Sequence, residues 1–433
     1  MTPGTVRRAV HAAARRMRGR TGANPAGTRA SVGKPGGAKR RETVPAQSFI
    51  LEAERCGLKI LQALFFPPEQ PGGVSSMVPY VRERFQKLGW DMDLFWLPKR
   101  VRSKGTDEIA FETFDWRAYA GHPVVDKYIQ TYRDYLWWTK MQVRASYDLI
   151  HAHHPIAALT MKSLFPDTPV IATIHSSFER ELVLNGRIAP GGPEERFLTR
   201  LYGEMEHRLD RILTVSQSFK RYLSSFLRDP DRVIVIPNGY DEKRFRPVQH
   251  MNPVPQLITV CRLVPAKGLD VLLMACAELK RRGSPFVLHV IGDGPIRQDL
   301  EKMANELNIY EDTIFYGYML HPEQFMPFFD IFVLPSRAEA FGSVFAEAAL
   351  CWLALVGTDV GGIAEQIEHG KNGLLVPVDD VTALADALQQ VMENPDLRQK
   401  LAKAAYDKAK KTYSLKRVVL QLKELYLHYV HAQ

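Results

Sequence analysis

Short apolar runs separated by longer amphipathic stretches recur along this chain, and the series begins twice. From about residue 58, LKILQALFF reads as a strand, VSSMVPYVRERFQKLG as a helix and DMDLFWLP as the next strand. YDLIHAHH, PVIATIH, RILTVS and RVIVIPNG follow as strand-like runs, each leading into polar or turn-forming residues. Strands separated by helices need crossover connections, and crossovers impose parallel pairing, so an α/β sheet is expected. The proline-bearing stretch FRPVQHMNPVPQ, around residues 245–256, breaks the pattern as a linker would. The alternation then restarts with LITVCRL, a helix over 268–282, FVLHVIGDG, a helix over 295–307, DTIFYGYM, IFVLPS, a helix after Phe341, LALVGT, GLLVPV and a helix over 380–393.

Two such series predict two Rossmann-like, doubly wound parallel-sheet domains facing each other across a cleft. A chain of 433 residues is too long for one compact core, which agrees with that division. The expected organisation is a basic tail over 1–48, a first domain over 49–246, a second over 254–412 and a C-terminal helix over 413–433. In that helix Leu415, Val418, Val419, Leu422, Leu425, Tyr426 and Tyr429 form one stripe, suited to docking on the body. Ligands of doubly wound sheets sit beyond the carboxyl ends of the strands, so both sheets are expected to contribute to the cleft.

The formal net charge of +9 suggests nucleic acid until it is located. Residues 1–41 hold eleven Lys and Arg and no acid, and the remainder carries 46 basic against 48 acidic residues. A near-neutral body is a poor polyanion binder, so no nucleic-acid partner is expected. The tail lacks the apolar block a core needs and the hydrophobic region of a secretory signal. It reads as an inert or non-native extension, a contact for anionic lipid or other polyanions, or a transit peptide. No apolar run approaches the ~18 residues of a membrane span. Cys56, Cys261, Cys276 and Cys351 show no paired ligand spacing and read as reduced thiols of a cytosolic chain.

Candidate chemistry clusters at the strand ends. In PPEQPGGVSS, Gly72 and Gly73 remove side chains where a backbone must approach closely, and the helix that follows offers unpaired N–H groups to an anion. His175 closes PVIATIH. CRLVPAKG sets Arg262 at a strand end and Lys267 at a helix entry, two cations suited to a diphosphate. Gly292 and Gly294 make a common tight turn. In EAFGSVFAE, the amides near Phe341, Gly342 and Ser343 open a helix toward an anion, with Glu339 before it and Glu347 inside it. Carboxylates on the two sides of a bound phosphate can accept from hydroxyls of two groups, a sugar and a ribose. A helix-bound Glu347 suits orientation better than the acid/base work of a glycosidase. Asp91 and Asp93 have a spacing used by metal-dependent transferases, but they begin a predicted strand and no metal is expected. Trp137 and Trp138, in a helical-looking stretch, suit a core or interface better than a sugar platform.

In order, PGGVSS, DLIHAHH, ATIHSSF, RILTVSQSFK, VIVIPNGYDEKRFRP, CRLVPAKGLDVLL, VIGDGP, EAFGSVFAEA and GTDVGGIAEQIEHGKNGLLV resemble the family-4 retaining glycosyltransferases of the GT-B architecture, over roughly residues 58–430. The resemblance implies that Arg262 and Lys267 grip the diphosphate of a UDP-, GDP- or ADP-sugar donor, with an amide of Gly73 near it. It implies Glu339 on hydroxyls of the transferred sugar, Glu347 on the ribose, His175 on the donor sugar, and backbone after Tyr316 and Gly317 facing the base. No cofactor or metal is implied. Ala340 stands where the family usually has glycine, and Trp352 and Ala354 where it often has glycine and proline; none of these removes a polar group. The expected function is sugar transfer with retention to a glycan, lipid-linked or small-molecule acceptor, in cell-surface polysaccharide or glycolipid assembly, in the cytoplasm and with peripheral membrane contact through the tail as one reading. A same-fold phosphorylase, hydrolase or epimerase, or a weakly catalytic sugar-nucleotide-binding module, is the alternative.

Overall fold

Each of the twelve strand-like runs becomes a strand. In the computed structural model, which describes residues 57–68, 73–103, 109–248 and 252–431, the first series forms β1 (Lys59–Ala63), β2 (Asp91–Phe95), β3 (Leu149–Ala152), β4 (Val170–Ile174), β5 (Arg211–Thr214) and β6 (Val233–Val235). They pair in parallel in the order β2-β1-β3-β4-β5-β6. The second series forms β7 (Gln256–Val260), β8 (Val287–Ile291), β9 (Thr313–Gly317), β10 (Ile331–Leu334), β11 (Ala354–Thr358) and β12 (Leu374–Val376), also parallel, in the order β12-β11-β10-β7-β8-β9. The basic tail, Cys56 and Gly72 lie outside the described residues.

Helices on both faces explain why these strands read as unbroken apolar runs. Ile60, Leu149, Ile150, Val170 and Ile171 of the first sheet, and Phe332, Val333 and Leu334 of the second, are fully buried. Each such side chain contributes ~1.5–3 kcal/mol by leaving water, so both sheets are held by apolar burial and can carry a polar cluster at one edge. Strand order reverses between β1 and β3 in one sheet and between β7 and β10 in the other. A crevice opens at such reversals, beyond the carboxyl ends of the strands.

The chain passes between the halves twice. After the helix Pro395–Thr412 packs against β11, Tyr413 and Leu415 exchange backbone hydrogen bonds of 2.9 Å with Tyr240, on the segment leading out of β6. The helix Leu415–His431 then lies on the helix Gly73–Lys87 and β3 of the first half, burying Leu415, Val418, Val419, Leu422 and Tyr426. The sequence reading did not pick out the helix Pro395–Thr412, although Asn394 accepts from the Leu397 amide at 2.9 Å and Pro395 opens the first turn, both ordinary helix-start signals.

Trp352 sits just past the helix Ser343–Leu350 with φ +67°, a position glycine usually fills. Its ring lies 5.1 Å from that of Tyr406 on the helix Pro395–Thr412. Trp137 and Trp138 lie on the helix Pro123–Gln142, both half-buried, and Trp138 donates to the Trp96 carbonyl at 3.1 Å. Asp93 accepts from the Tyr147 hydroxyl at 2.9 Å. Among the described residues no group of three or more His, Cys, Asp or Glu is arranged to hold a metal ion, and no helix is long and apolar enough to cross a membrane. Cys261, Cys276 and Cys351 are free thiols.

Candidate functional site

The carboxyl end of β7 leads through Arg262 into the tight turn Pro265–Lys267, and the carboxyl end of β10 leads to Glu339. These two loops meet. Lys267 Nζ donates to Glu339 Oε1 at 2.5 Å, and Ser336 Oγ donates to the same oxygen at 3.1 Å. Both side chains of the pair are only 13% exposed. Burial disfavours the ammonium, but the adjacent Glu339 carboxylate outweighs it and raises the Lys267 pKa.

The loop after β11 fixes the backbone of Glu339. Gly362 N donates to the Glu339 carbonyl at 3.0 Å, and Gly361 approaches the same carbonyl with φ +52°. A Cβ on Gly361 would lie 1.8 Å from that oxygen, against backbone that has no room to rotate away. Gly361→Ala is therefore expected to displace Glu339, lowering stability by ~2 kcal/mol or more through clash and strain. Urea unfolding with a donor-binding assay would check this; unchanged stability and unchanged binding would refute the role given to this contact.

Gly342, with φ +81°, caps the helix Ser343–Leu350, the left-handed conformation turning the chain from the Glu339 loop into the helix mouth. Phe341 is buried edge-on against Tyr413, their centroids 5.2 Å apart, and its carbonyl accepts from Gln366 Nε2. Ser343 Oγ accepts from Asn238 Nδ2 at 3.1 Å, which ties the helix mouth to the end of the first half. Glu347 lies one turn further in and is half-buried. Burial first, and the Glu323 carboxylate second, push its pKa up to about 8, against the opposing pull of Arg244. Arg244 is itself bonded to Glu323 at 2.6 Å and lies 4.5 Å over the Tyr80 ring. Gly317 ends β9, and its carbonyl accepts from Gly292 N at 2.9 Å.

The facing wall comes from the first half. Gly73 begins the helix after β1, and His175 directly follows β4. His175 Nε2 and His153 Nδ1 are 3.1 Å apart, while His175 Nδ1 is buried without a hydrogen-bond partner. Burial lowers the His175 pKa to about 4; the neighbouring Asn238 favours the charged ring without reaching bonding geometry to Nδ1. The imidazole is neutral at pH 7.

Arg262 and Lys267 each pair with a carboxylate of the chain itself. Lys267 is held by Glu339, and Arg262, 62% exposed, donates across the cleft to Glu181 at 2.5 Å. Glu181 lies on the helix Phe178–Leu184, whose cap residue Asn185 accepts from Ala266 N at 3.1 Å. Sequence reading missed Glu181, Asn185, Asn238, Ser336 and Gly361. HSSFERELVLN, charged and directly after the β4 histidine, carried the one visible hint of the first two.

Residues 71–244 match the family described as Glycosyltransferase Family 4, and residues 241–408 the one described as Glycosyl transferases group 1. The chain is similar to the Alpha-D-kanosaminyltransferase of Streptomyces kanamyceticus, 34% identical over 176 residues, 40% of this chain and 45% of that protein. It is also similar to the D-inositol 3-phosphate glycosyltransferase of Saccharomonospora viridis, 30% identical over 308 residues, 65% of this chain and 70% of that one. Among solved structures, the sucrose-phosphate synthase from Thermosynechococcus elongatus superposes with a TM-score of 0.71 at 21% identity, covering 87% of this chain and 100% of that one.

Proposed function

Since the chain belongs to glycosyltransferase family 4, with the GT-B fold, we propose that it moves a sugar from a nucleotide diphosphate sugar to an acceptor hydroxyl with retention of anomeric configuration. The observation that carries this reading is the Lys267–Glu339 pair at 2.5 Å, set at the entrance of the helix Ser343–Leu350 with Glu347 one turn beyond. The donor diphosphate lies at that helix mouth, where Lys267 and the first-turn amides take its charge. Arg262 exchanges Glu181 for the diphosphate. Glu339 accepts from hydroxyls of the transferred sugar, Glu347 from the ribose, and the backbone beyond Gly317 borders the base.

The bond from the anomeric carbon to the diphosphate oxygen breaks, and a bond to the acceptor oxygen forms on the same face. The acceptor proton goes to the departing phosphate, and the nucleoside diphosphate leaves. Negative charge grows on the leaving group, and fixed donors aimed at growing charge are each worth ~10²–10³ in rate. The proposal requires no metal for that task. The acceptor is a glycan or lipid-linked intermediate of cell-surface polysaccharide or glycolipid assembly, with a small molecule as second choice.

A thermal-shift screen against UDP-, GDP- and ADP-sugars tests the donor class. A donor present at 100 times its Kd stabilises the protein by ~2.7 kcal/mol, and Arg262→Ala and Glu347→Ala are expected to lose most of that. A folded protein that no donor stabilises would overturn the reading.

A further inference from the structure

Behind His175 a line of buried polar side chains runs from the first sheet to the C-terminal helix. Gln62 on β1, His151 on β3, His153 just beyond it and Tyr426 on the helix Leu415–His431 are all at most 8% exposed. Burying such groups costs stability unless each finds a partner, so the hydrogen-bond accounting must close.

With the Gln62 amide turned so that its nitrogen meets Tyr426, it closes in one direction. Gln62 Nε2 donates to the Tyr426 hydroxyl at 3.1 Å, so Gln62 Oε1, 2.8 Å from His153 Nε2, is left as an acceptor. His153 Nε2 therefore carries the proton of that neutral ring, and His153 Nδ1 is bare. The only proton available for the 3.1 Å contact between His153 Nδ1 and His175 Nε2 is then on His175 Nε2. On the other branch, the Tyr426 hydroxyl, having accepted from Gln62, donates to His151 Nδ1 at 2.6 Å, and His151 Nε2 donates to Thr173 Oγ1 at 2.7 Å. His175 Nδ1 is the end of the line that stays unpaired and buried.

We propose that Gln62, oriented by Tyr426 and acting through His153, is a positioning residue that holds His175 in the tautomer with its proton on Nε2 and a bare lone pair on Nδ1. That lone pair accepts a hydrogen bond from a hydroxyl of the donor sugar, a step that rests on the transferase reading. Reversing the tautomer requires the Gln62 amide to turn over and the Tyr426 and histidine protons to move with it. The C-terminal helix, placed on the first half by the second crossing of the chain, thereby takes part in the site without touching the substrate.

Side-chain ¹⁵N spectra of the histidines in the full chain test this, with Gln62→Met and Tyr426→Phe beside the unsubstituted protein. The unsubstituted protein is expected to show a pyridine-type Nδ1 and a pyrrole-type Nε2 at His175. Gln62→Met removes the acceptor and is expected to mix the two tautomers and lower kcat/KM about tenfold, as the loss of one hydrogen bond would. Tyr426→Phe keeps Gln62 but frees its amide to turn over, and is expected to mix the tautomers to a smaller extent. A pyrrole-type Nδ1 in the unsubstituted protein, or an unchanged Nε2-protonated His175 in both variants, overturns the proposal. The spectra need no donor, so the two readings separate. A His175 tautomer that follows Gln62 in a chain without turnover supports the positioning and sinks the transferase; turnover with an unresponsive His175 does the reverse.

Discussion

Lys267→Met is expected to abolish measurable sugar transfer and to destabilise the protein by ~3–5 kcal/mol, while Lys267→Met combined with Glu339→Leu regains most of the stability and none of the activity. Lys267 and Glu339 are 2.5 Å apart and nearly enclosed. Removing the ammonium strands the Glu339 carboxylate with Ser336 as its one remaining side-chain donor among the described residues. An unpaired charge in that position costs far more than the pair contributes, whereas two apolar side chains of similar volume leave no charge to compensate. Activity is not expected to return with stability, because in the proposed donor site the leaving diphosphate has then lost a cation and the sugar an acceptor. Urea unfolding and a nucleotide-release assay on the three proteins separate the two effects. A double variant as unstable as the single one would show that the ion pair is not what stability depends on there, and turnover by Lys267→Met would remove that residue from the leaving-group site.

The fold was legible because a parallel sheet covered on both faces writes its strands as continuous apolar runs. VIATI and VLHVI are buried along their whole length, and turn residues follow each. The carboxyl ends of the strands then placed His175, Arg262 and Glu339 toward one cleft, the last two beside the reversal between β7 and β10. The partners of those residues were not legible. Arg262 meets Glu181 across 81 positions and Gln62 meets Tyr426 across 364, and neither spacing leaves a trace in local periodicity. Gln62 looks like a stray polar residue in the apolar part of a strand, and its use depends on a helix the chain returns only after building the second sheet. The pairing of the two cations, five positions apart, with different carboxylates was likewise not legible: Arg262 meets Glu181 of the first half and Lys267 meets Glu339 of the second.

Glu347→Gln is expected to stabilise the unliganded protein at pH 8.5 and to leave it nearly unchanged near pH 5, the reverse of what losing a paired carboxylate would do. The folded-state pKa of Glu347 is raised to about 8 from an ordinary value of 4.5, so between those values the native state holds a proton that the unfolded chain has released. Stability then falls as pH rises through that window, by at most ~1.4 kcal/mol per unit, and the partial exposure of the side chain reduces the total to a few kcal/mol. Glutamine has no such dependence. Donor binding runs the opposite way. Ribose hydroxyls donate to a carboxylate and gain less from a carboxylic acid, so donor affinity is expected to rise from pH 6 to pH 8.5 and to be flat in Glu347→Gln. Calorimetry in two buffers of different ionisation enthalpy would register about one proton released per donor bound at pH 7. Affinity that falls with pH would mean that the protonated form of Glu347 donates to the ligand, and the ribose assignment would have to give way to one in which Glu347 meets an acceptor oxygen. The Glu323 carboxylate beside Glu347, which raises its pKa, would then serve to keep that proton in place.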